Sequence, residues 1–315
     1  MSSFDTVNYA IRPNKSVERT IAFAGLVRLS HILDLSKYRY IGLGSLWFVD
    51  FIMAHKLLGI TDMISMERSE MGYKRSLFNR PISCIKVLAG ETTLLIPTLG
   101  LESMPSLLWF DYDSSIGGPV VRDIELLAPK CAPNSVLIVT ISAKKHDLPT
   151  KDENDSSIDT ETSLRRIAGD LVPTPLAPKR LQPSNYPKLL CEVLTNQLIG
   201  ATVNSGRSET FIKLFDMVYS DGTPMVTVGG VVASADRVDS IRQLIASPSW
   251  EGILTETIAI PPLTMREKLA LDQMMPSPLP PTDAEMNRIG FHLKREQIDT
   301  YHRHYLHYPM FGEVF

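Results

Sequence analysis

The stretch RYIGLGSLWFVDF, residues 39–51, decides how the chain folds. An apolar run stops at Gly42, and after a short turn LWFVDFIMAHKLLG (46–59) reads as a helix closed by Gly59. Strand, glycine turn and helix, in that order, form the unit on which many α/β proteins hold a nucleotide. Gly42 and Gly44 let the backbone bend sharply and come close to a ligand. The helix that follows offers free N–H groups at its start. A dinucleotide-type loop has three glycines, whereas here Leu46 stands at the third place. The competing reading of two glycines alone is a tight structural turn.

Outward from this unit the alternation continues. DMISMER (62–68), ISCIKVLAGE (82–91), SLLWFDYD (106–113) and SVLIVTISAKK (135–145) read as further strands. The last of these is almost wholly apolar, as expected of a strand buried on both faces. VVRDIELLAPKCAP (120–133) is helical until its prolines. Before the first strand, Ser16 opens a helix with Val17, Ile21, Ala24, Leu26 and Leu29 as its apolar stripe. YPKLLCEVLTNQLIGATVNSG (186–206) is a long helix, and Asp221-Gly222 marks a hairpin between two late strands. The expected fold is therefore α/β: a doubly wound sheet, mostly parallel, with a terminal antiparallel hairpin and a helical C-terminal extension. Residues 1–248 form the α/β domain, with a polar, proline-rich insertion near 146–184 that reads as a mobile lid or a plain surface linker. Residues 249–315 form the extension packing on it.

Bulk composition narrows the function classes. The 315 residues are 44% hydrophobic, enough for a sizeable core, and the net charge of −3 excludes a general polycation. The cysteines, Cys84, Cys131 and Cys191, are few and far apart, with no metal-ligand spacing and no disulfide framework, which fits a reducing cytoplasm. No run of about 18 apolar residues suggests a membrane span. No metal is expected.

In doubly wound sheets ligands sit at the carboxyl ends of the strands, and polar residues gather there. Glu67 ends the second strand at roughly the 20-residue spacing at which an acid grips ribose hydroxyls. Its alternative is a surface ion pair with Arg68 or Arg75. Glu91 follows Gly90 and can reach an adenine, or serve as a helix N-terminal acid. Asp111 and Asp113 lie two residues apart, so both can face one cleft; the alternative is a turn, with Asp113 capping the next helix. Paired carboxylates suit acid/base work, and Tyr112 between them is placed with the substrate. In RPNK (12–15), Arg12, Asn14 and Lys15 could bind a substrate phosphate or carboxylate, or form a solvated helix entry. YHRHYLHYP (301–309) suits stacking on bases, or amphipathic packing of a final helix.

RPNKSVER, YRYIGLGSLWFVDF, MISMERSE, LFNRPISCIKV, LLWFDYDSSI, VLIVTISA and DGTPMVTVGG together resemble a poorly characterised bacterial family of "putative O-methyltransferases", over nearly the whole chain. The resemblance implies a Rossmann-like methyltransferase fold and S-adenosylmethionine as cofactor. Under it Gly42, Gly44 and Ser45 would line the methionine part, Glu67 would hold the ribose, Glu91 would lie near adenine, and Asp111 would face the methyl donor or acceptor. The expected function is methyl transfer to an oxygen or nitrogen of a small molecule or nucleic acid. A second expectation is a nucleic-acid hydrolase on the same fold, of the base-excising DNA glycosylase type, with Asp111 or Asp113 activating water. Either would suit bacterial DNA modification or phage defence. A third is a non-catalytic nucleotide binder. The sequence leaves the oligomeric state open.

Overall fold

The computed structural model describes residues 12–44, 46–250, 253 and 255–309. In chain order, the helix α1 (Pro13–Leu29) precedes β1 (Arg39–Leu43), α2 (Val49–Leu58), β2 (Asp62–Glu67), α3 (Glu70–Asn79), β3 (Ile85–Ala89), a one-turn α4 (Thr92–Leu95) and β4 (Ser106–Asp111). Then come α5 (Gly118–Lys130), β5 (Val136–Ser142), α6 (Thr160–Ala168), α7 (Tyr186–Asn204), the hairpin β6 (Thr210–Ser220) and β7 (Pro224–Ala233), α8 (Val238–Ile245), β8 (Thr255–Ile258), and the helices α9 (Met265–Asp272), α10 (Asp283–Ile289) and α11 (Arg295–His304). Among the described residues one sheet holds the eight strands in the order β3-β2-β1-β4-β5-β7-β6-β8. β1 to β5 run parallel, and β7 pairs antiparallel with both β5 and β6. This is the mostly parallel sheet with an antiparallel hairpin that the strand and turn signals imply.

Strand periodicity divides the core. Leu107 and Trp109 of β4 enter one apolar cluster with Val17, Phe23 and Leu26 of α1 and Phe51 of α2. Leu108 and Phe110 enter the opposite cluster with Ile124 and Leu127 of α5 and Leu190 and Leu194 of α7. Successive side chains of a strand point to opposite faces, so β4 continues this rule into the residues that follow it. Asp111 falls on the α1 side and Tyr112 on the α5 side.

Three local features differ from the sequence expectation. First, α1 begins at Pro13 and not at Ser16, because its cap comes from elsewhere. The Asp221 carboxylate at the hairpin tip accepts from the backbone N–H of Asn14 (3.1 Å) and of Lys15 (2.9 Å). It fills the capping role that a residue at the helix start usually takes. Second, the segment 146–184 is tied into the domain. Asp159 caps α6 through Thr162 N–H at 2.7 Å, and Leu164, Val172 and Leu176 are buried in the core. Third, the extension contributes β8, parallel to β6. Its four residues, TETI, are too short and polar to stand out as a strand, and its burial simply alternates. Beyond it α9, α10 and α11 close over a small cluster of Leu271, Met286, Ile298 and Tyr301. No described helix is long and apolar enough to cross a membrane.

Gly230 in β7 shows how tightly the hairpin packs. A Cβ there would lie 2.2 Å from the Phe211 ring and 2.7 Å from the Ile212 carbonyl oxygen. Backbone cannot retreat as a side-chain tip can, so Gly230→Ala is expected to cost about 1–3 kcal/mol, read as a lowered urea midpoint with an unchanged slope.

Candidate active site

The glycine turn is built from two different necessities. At Gly42, inside β1, a Cβ would press on the Phe51 ring of α2 at 3.2 Å, so this glycine sets the closeness of helix and strand. At Gly44 a Cβ would fall 2.5 Å from Glu67 Oε2, so this glycine makes room for the acid. Helix α2 starts only at Val49, after Phe48 at φ 49°. Position 46 therefore lies in a bend ahead of the helix, and the helix–strand contact that a third glycine usually permits is made through Gly42. Ser45 lies outside the described residues.

Glu67 sits where β2 ends. Its Oε1 accepts from the Ser69 N–H at 3.0 Å and from the Ser69 hydroxyl at 3.3 Å. Among the described residues Oε2 takes no hydrogen bond and lies against Gly44. Glu91 stands at the end of β3, exposed, with Arg68 at 3.9 Å. That distance marks a loose surface pair of little energetic weight.

At the ends of β4 and β5 is a cleft of about 260 Å³. Arg12, Lys15, Asp111 and Asp113 all line it, so two of the expected groups meet in one place. Ser142, Lys144 and Asp147 join them from the segment after β5, with Ser142 donating to Asp147 at 2.8 Å. A larger cleft of about 410 Å³ lies between α5 and α7, away from the strand ends, with Glu125 as the charged residue of its lining.

Lys15 is the electrostatic centre of the cleft. It is 2% exposed, with Nζ 2.8 Å from Asp111 Oδ2 and 3.4 Å from Glu18 Oε2. The Trp109 and Tyr219 rings flank it at 5.4 and 5.3 Å, a distance at which a ring face attracts a cation. Burial alone lowers a lysine pKa, but Asp111 and Glu18 outweigh it and hold the ammonium above its ordinary value. Glu18, fully buried, is pushed up by desolvation, with Lys15 opposing. Behind it runs a chain of hydroxyls. Trp109 N–H donates to Thr140 (3.1 Å), Thr140 meets Thr227 (2.8 Å), and Thr227 donates to Glu18 (2.6 Å). A buried carboxylate needs such donors.

The remaining expected residues have other partners. The Asn14 side-chain amide donates to Ser220 O and to Asp221, both at 3.0 Å, and its oxygen accepts from Ile260 N–H at 2.9 Å. It therefore pins α1 to the hairpin, and both its N–H bonds are used there. Tyr112 points away from the cleft and donates to Asp123 at 2.7 Å. In the C-terminal YHRHYLHYP, Tyr301 donates to Asp272 (2.5 Å), His302 meets Ser277 O (2.7 Å) and Tyr308 donates to Pro261 O (2.7 Å), so this stretch chiefly fastens the extension. Sequence reasoning passed over Glu18, Tyr219, Lys144 and Asp147. Applying the strand-end rule to SAKKHD after β5 would have found the last two.

A doubly wound α/β sheet with a glycine turn after β1 and acids at the ends of β2, β3 and β4 sets its polar groups where sheets of this class take their ligands. The chain belongs to the family described as "Putative O-methyltransferase", which matches residues 7–315. No curated protein matches it in sequence. Among solved structures it is similar to Trm1 from Pyrococcus horikoshii in complex with S-adenosyl-L-methionine, at 10% identity and TM-score 0.48, over 71% of this chain and 58% of that one. It is also similar to an arsenic(III) S-adenosylmethionine methyltransferase from Chlamydomonas reinhardtii (13%, TM-score 0.38, covering 62% and 64%). A third likeness is to an S-adenosylmethionine-dependent methyltransferase from Mesorhizobium loti (13%, TM-score 0.39, covering 65% and 95%). The chain thus spans less than two thirds of the first two. With every one of these TM-scores below 0.5, function rests on family membership and on the chain's own geometry.

The buried pair makes a stability prediction. Removing one partner leaves an uncompensated buried charge, so Lys15→Met is expected to lose about 3–5 kcal/mol. Because burial raises the Glu18 pKa, its contribution to folding is intact at low pH and is lost as pH rises through that raised value. Without Lys15 the pKa climbs further. The deficit of Lys15→Met relative to wild type should therefore be smaller at pH 5 than at pH 8 in urea melts, and adding Glu18→Gln should remove most of that pH dependence.

Proposed function

We propose that the chain is an S-adenosylmethionine-dependent methyltransferase, with the donor along the ends of β1, β2 and β3 and the acceptor in the cleft at the ends of β4 and β5. The observation that carries this reading is Glu67. Its carboxylate rests on Gly44 with Oε2 unbonded among the described residues, which suits the hydroxyls of a ribose. Gly44 lets the acid and the loop share this space, and Glu91 stands one strand further along for the adenine. S-adenosylmethionine would supply the methyl group. The chain's own residues position the acceptor and take its proton. Lys15 fixes Asp111 through Oδ2, which leaves Oδ1 to orient an acceptor hydroxyl or amine, with Asp113 in the same cleft as a second proton acceptor. The family description favours oxygen as the acceptor atom.

Nucleic acid as the acceptor draws on Arg12, Lys15 and Lys144 in the same lining. Those cations beside Asp111 and Asp113 also support a second reading, a base-excising hydrolase in which a carboxylate activates water at a sugar carbon.

Calorimetry with S-adenosylmethionine and S-adenosylhomocysteine separates the readings. Micromolar binding, about −8 kcal/mol, is expected in the wild type. It should weaken at least about tenfold in Glu67→Ala and in Gly44→Ala, whose new Cβ displaces the acid. Asp111→Asn should keep donor binding and lose methyl transfer. Wild-type protein that binds neither compound, but releases bases from DNA, would replace the first reading by the second.

A further inference from the structure

Roughly 20 Å along α1 from Lys15, beside the last turn of the helix, lies a second cleft of about 340 Å³. Ile21, Ala24 and Ile253 give it an apolar wall. Its polar side is formed by residues the candidate active site does not use. Glu256 of β8 is 9% exposed and His304 of α11 is 3% exposed. Glu256 Oε2 stands 3.5 Å from His304 Nε2 and 3.7 Å from Arg303 Nη1. Neither Glu256 Oε2 nor His304 Nε2 has a hydrogen-bond partner among the described residues. Two buried polar atoms that face each other without bonding are costly unless a third group completes them.

Arg28, from α1, and His307, just past α11, line the same cleft, and their side chains make no hydrogen bond or ion pair among the described residues. Burial, together with His304 and Arg28 nearby, holds the His307 imidazole below its ordinary pKa. The described lining therefore sets two permanent guanidinium charges and two imidazoles against one carboxylate. The excess is positive, and its donors converge from α1 and from both sides of the end of α11. Guanidinium forks match the oxygens of a phosphate, and a volume near 340 Å³ suits a small ligand with an apolar part.

We propose that this cleft is a phosphate-binding site, in which Arg28, Arg303 and His307 donate to phosphate oxygens and Glu256, with His304, receives a hydroxyl of the phosphate or of its carrier. The carrier is a small phosphorylated molecule or a nucleic acid, since both present this group. The site is separate from the methyl-transfer cleft and does not depend on the function proposed there.

The full chain is titrated with inorganic phosphate by calorimetry at fixed ionic strength, and separately with a short single-stranded oligonucleotide. Saturable phosphate binding is expected, weakened at least about tenfold in both Arg28→Gln and His307→Gln. Both variants change part-exposed side chains, so unchanged circular dichroism and melting temperature confirm that they fold. The histidine C2 proton signal that disappears in His307→Gln should titrate at higher pH in wild type when phosphate is present, because the bound anion favours imidazolium. Variant-sensitive binding of phosphate alone assigns a small carrier, and variant-sensitive binding of both probes assigns nucleic acid. No saturable phosphate binding, or equal affinity in wild type and variants, overturns the proposal.

Discussion

Lys15 carries its ammonium to a place where 2% of the residue meets solvent, and the fold tolerates that charge because Asp111 approaches to 2.8 Å and Glu18 to 3.4 Å. Much of the ligand face depends on this arrangement. The ion pair ties the first turn of α1 to the end of β4, and the hydroxyl chain through Thr227 and Thr140 ties Glu18 to β7 and β5. One charged cluster thus holds the first turn of α1 against β4, β5 and β7, and with it the position of Arg12 at the cleft. A charge so deeply buried requires close partners, so these elements cannot shift independently.

The hairpin tip completes the same constraint from the other side. Asp221 and Gly222 form a turn for local reasons, with Gly222 at φ 95° supplying the backbone angle. The aspartate then serves a helix far away in sequence, accepting two of the N–H groups that α1 leaves open. Asn14 adds a bond to Ile260, where the chain leaves β8. The N-terminal helix, the hairpin and the C-terminal extension meet at one point. The family match, over residues 7–315, takes in all three of these parts.

Tyr112 and Asp113 show how strand geometry sorts residues that look equivalent in a motif. In WFDYD the alternation of β4 sends Asp111 and Asp113 towards α1 and the cleft, and Tyr112 towards Asp123, which also receives Thr92 and Thr93 from the segment after Glu91. The carboxylates gather at the cleft, and the tyrosine buttresses the loop that carries Glu91.

Local order in the sequence determined the strands from β1 to β7, the helices α2, α5 and α7, the Asp221-Gly222 turn and the gathering of acids at strand ends, whereas α3, α4 and α6 did not stand out in it. Apolar periodicity and turn chemistry act over a few residues, so they are readable without the fold. The division of Asp111 from Tyr112 was also readable, since it follows from a period of two. Tertiary structure alone decided the rest. It starts α1 at Pro13 through a cap 207 positions from Asn14, adds the short β8, buries 164 and 172 in the core, and turns Asn14 into a clamp. It also joins Lys15 to Asp111 and sets Arg28 beside His307. Each of these joins residues distant in the chain, where the cost of burying a charge or leaving an N–H unpaired is settled by whichever group folding brings near. No local pattern encodes that choice.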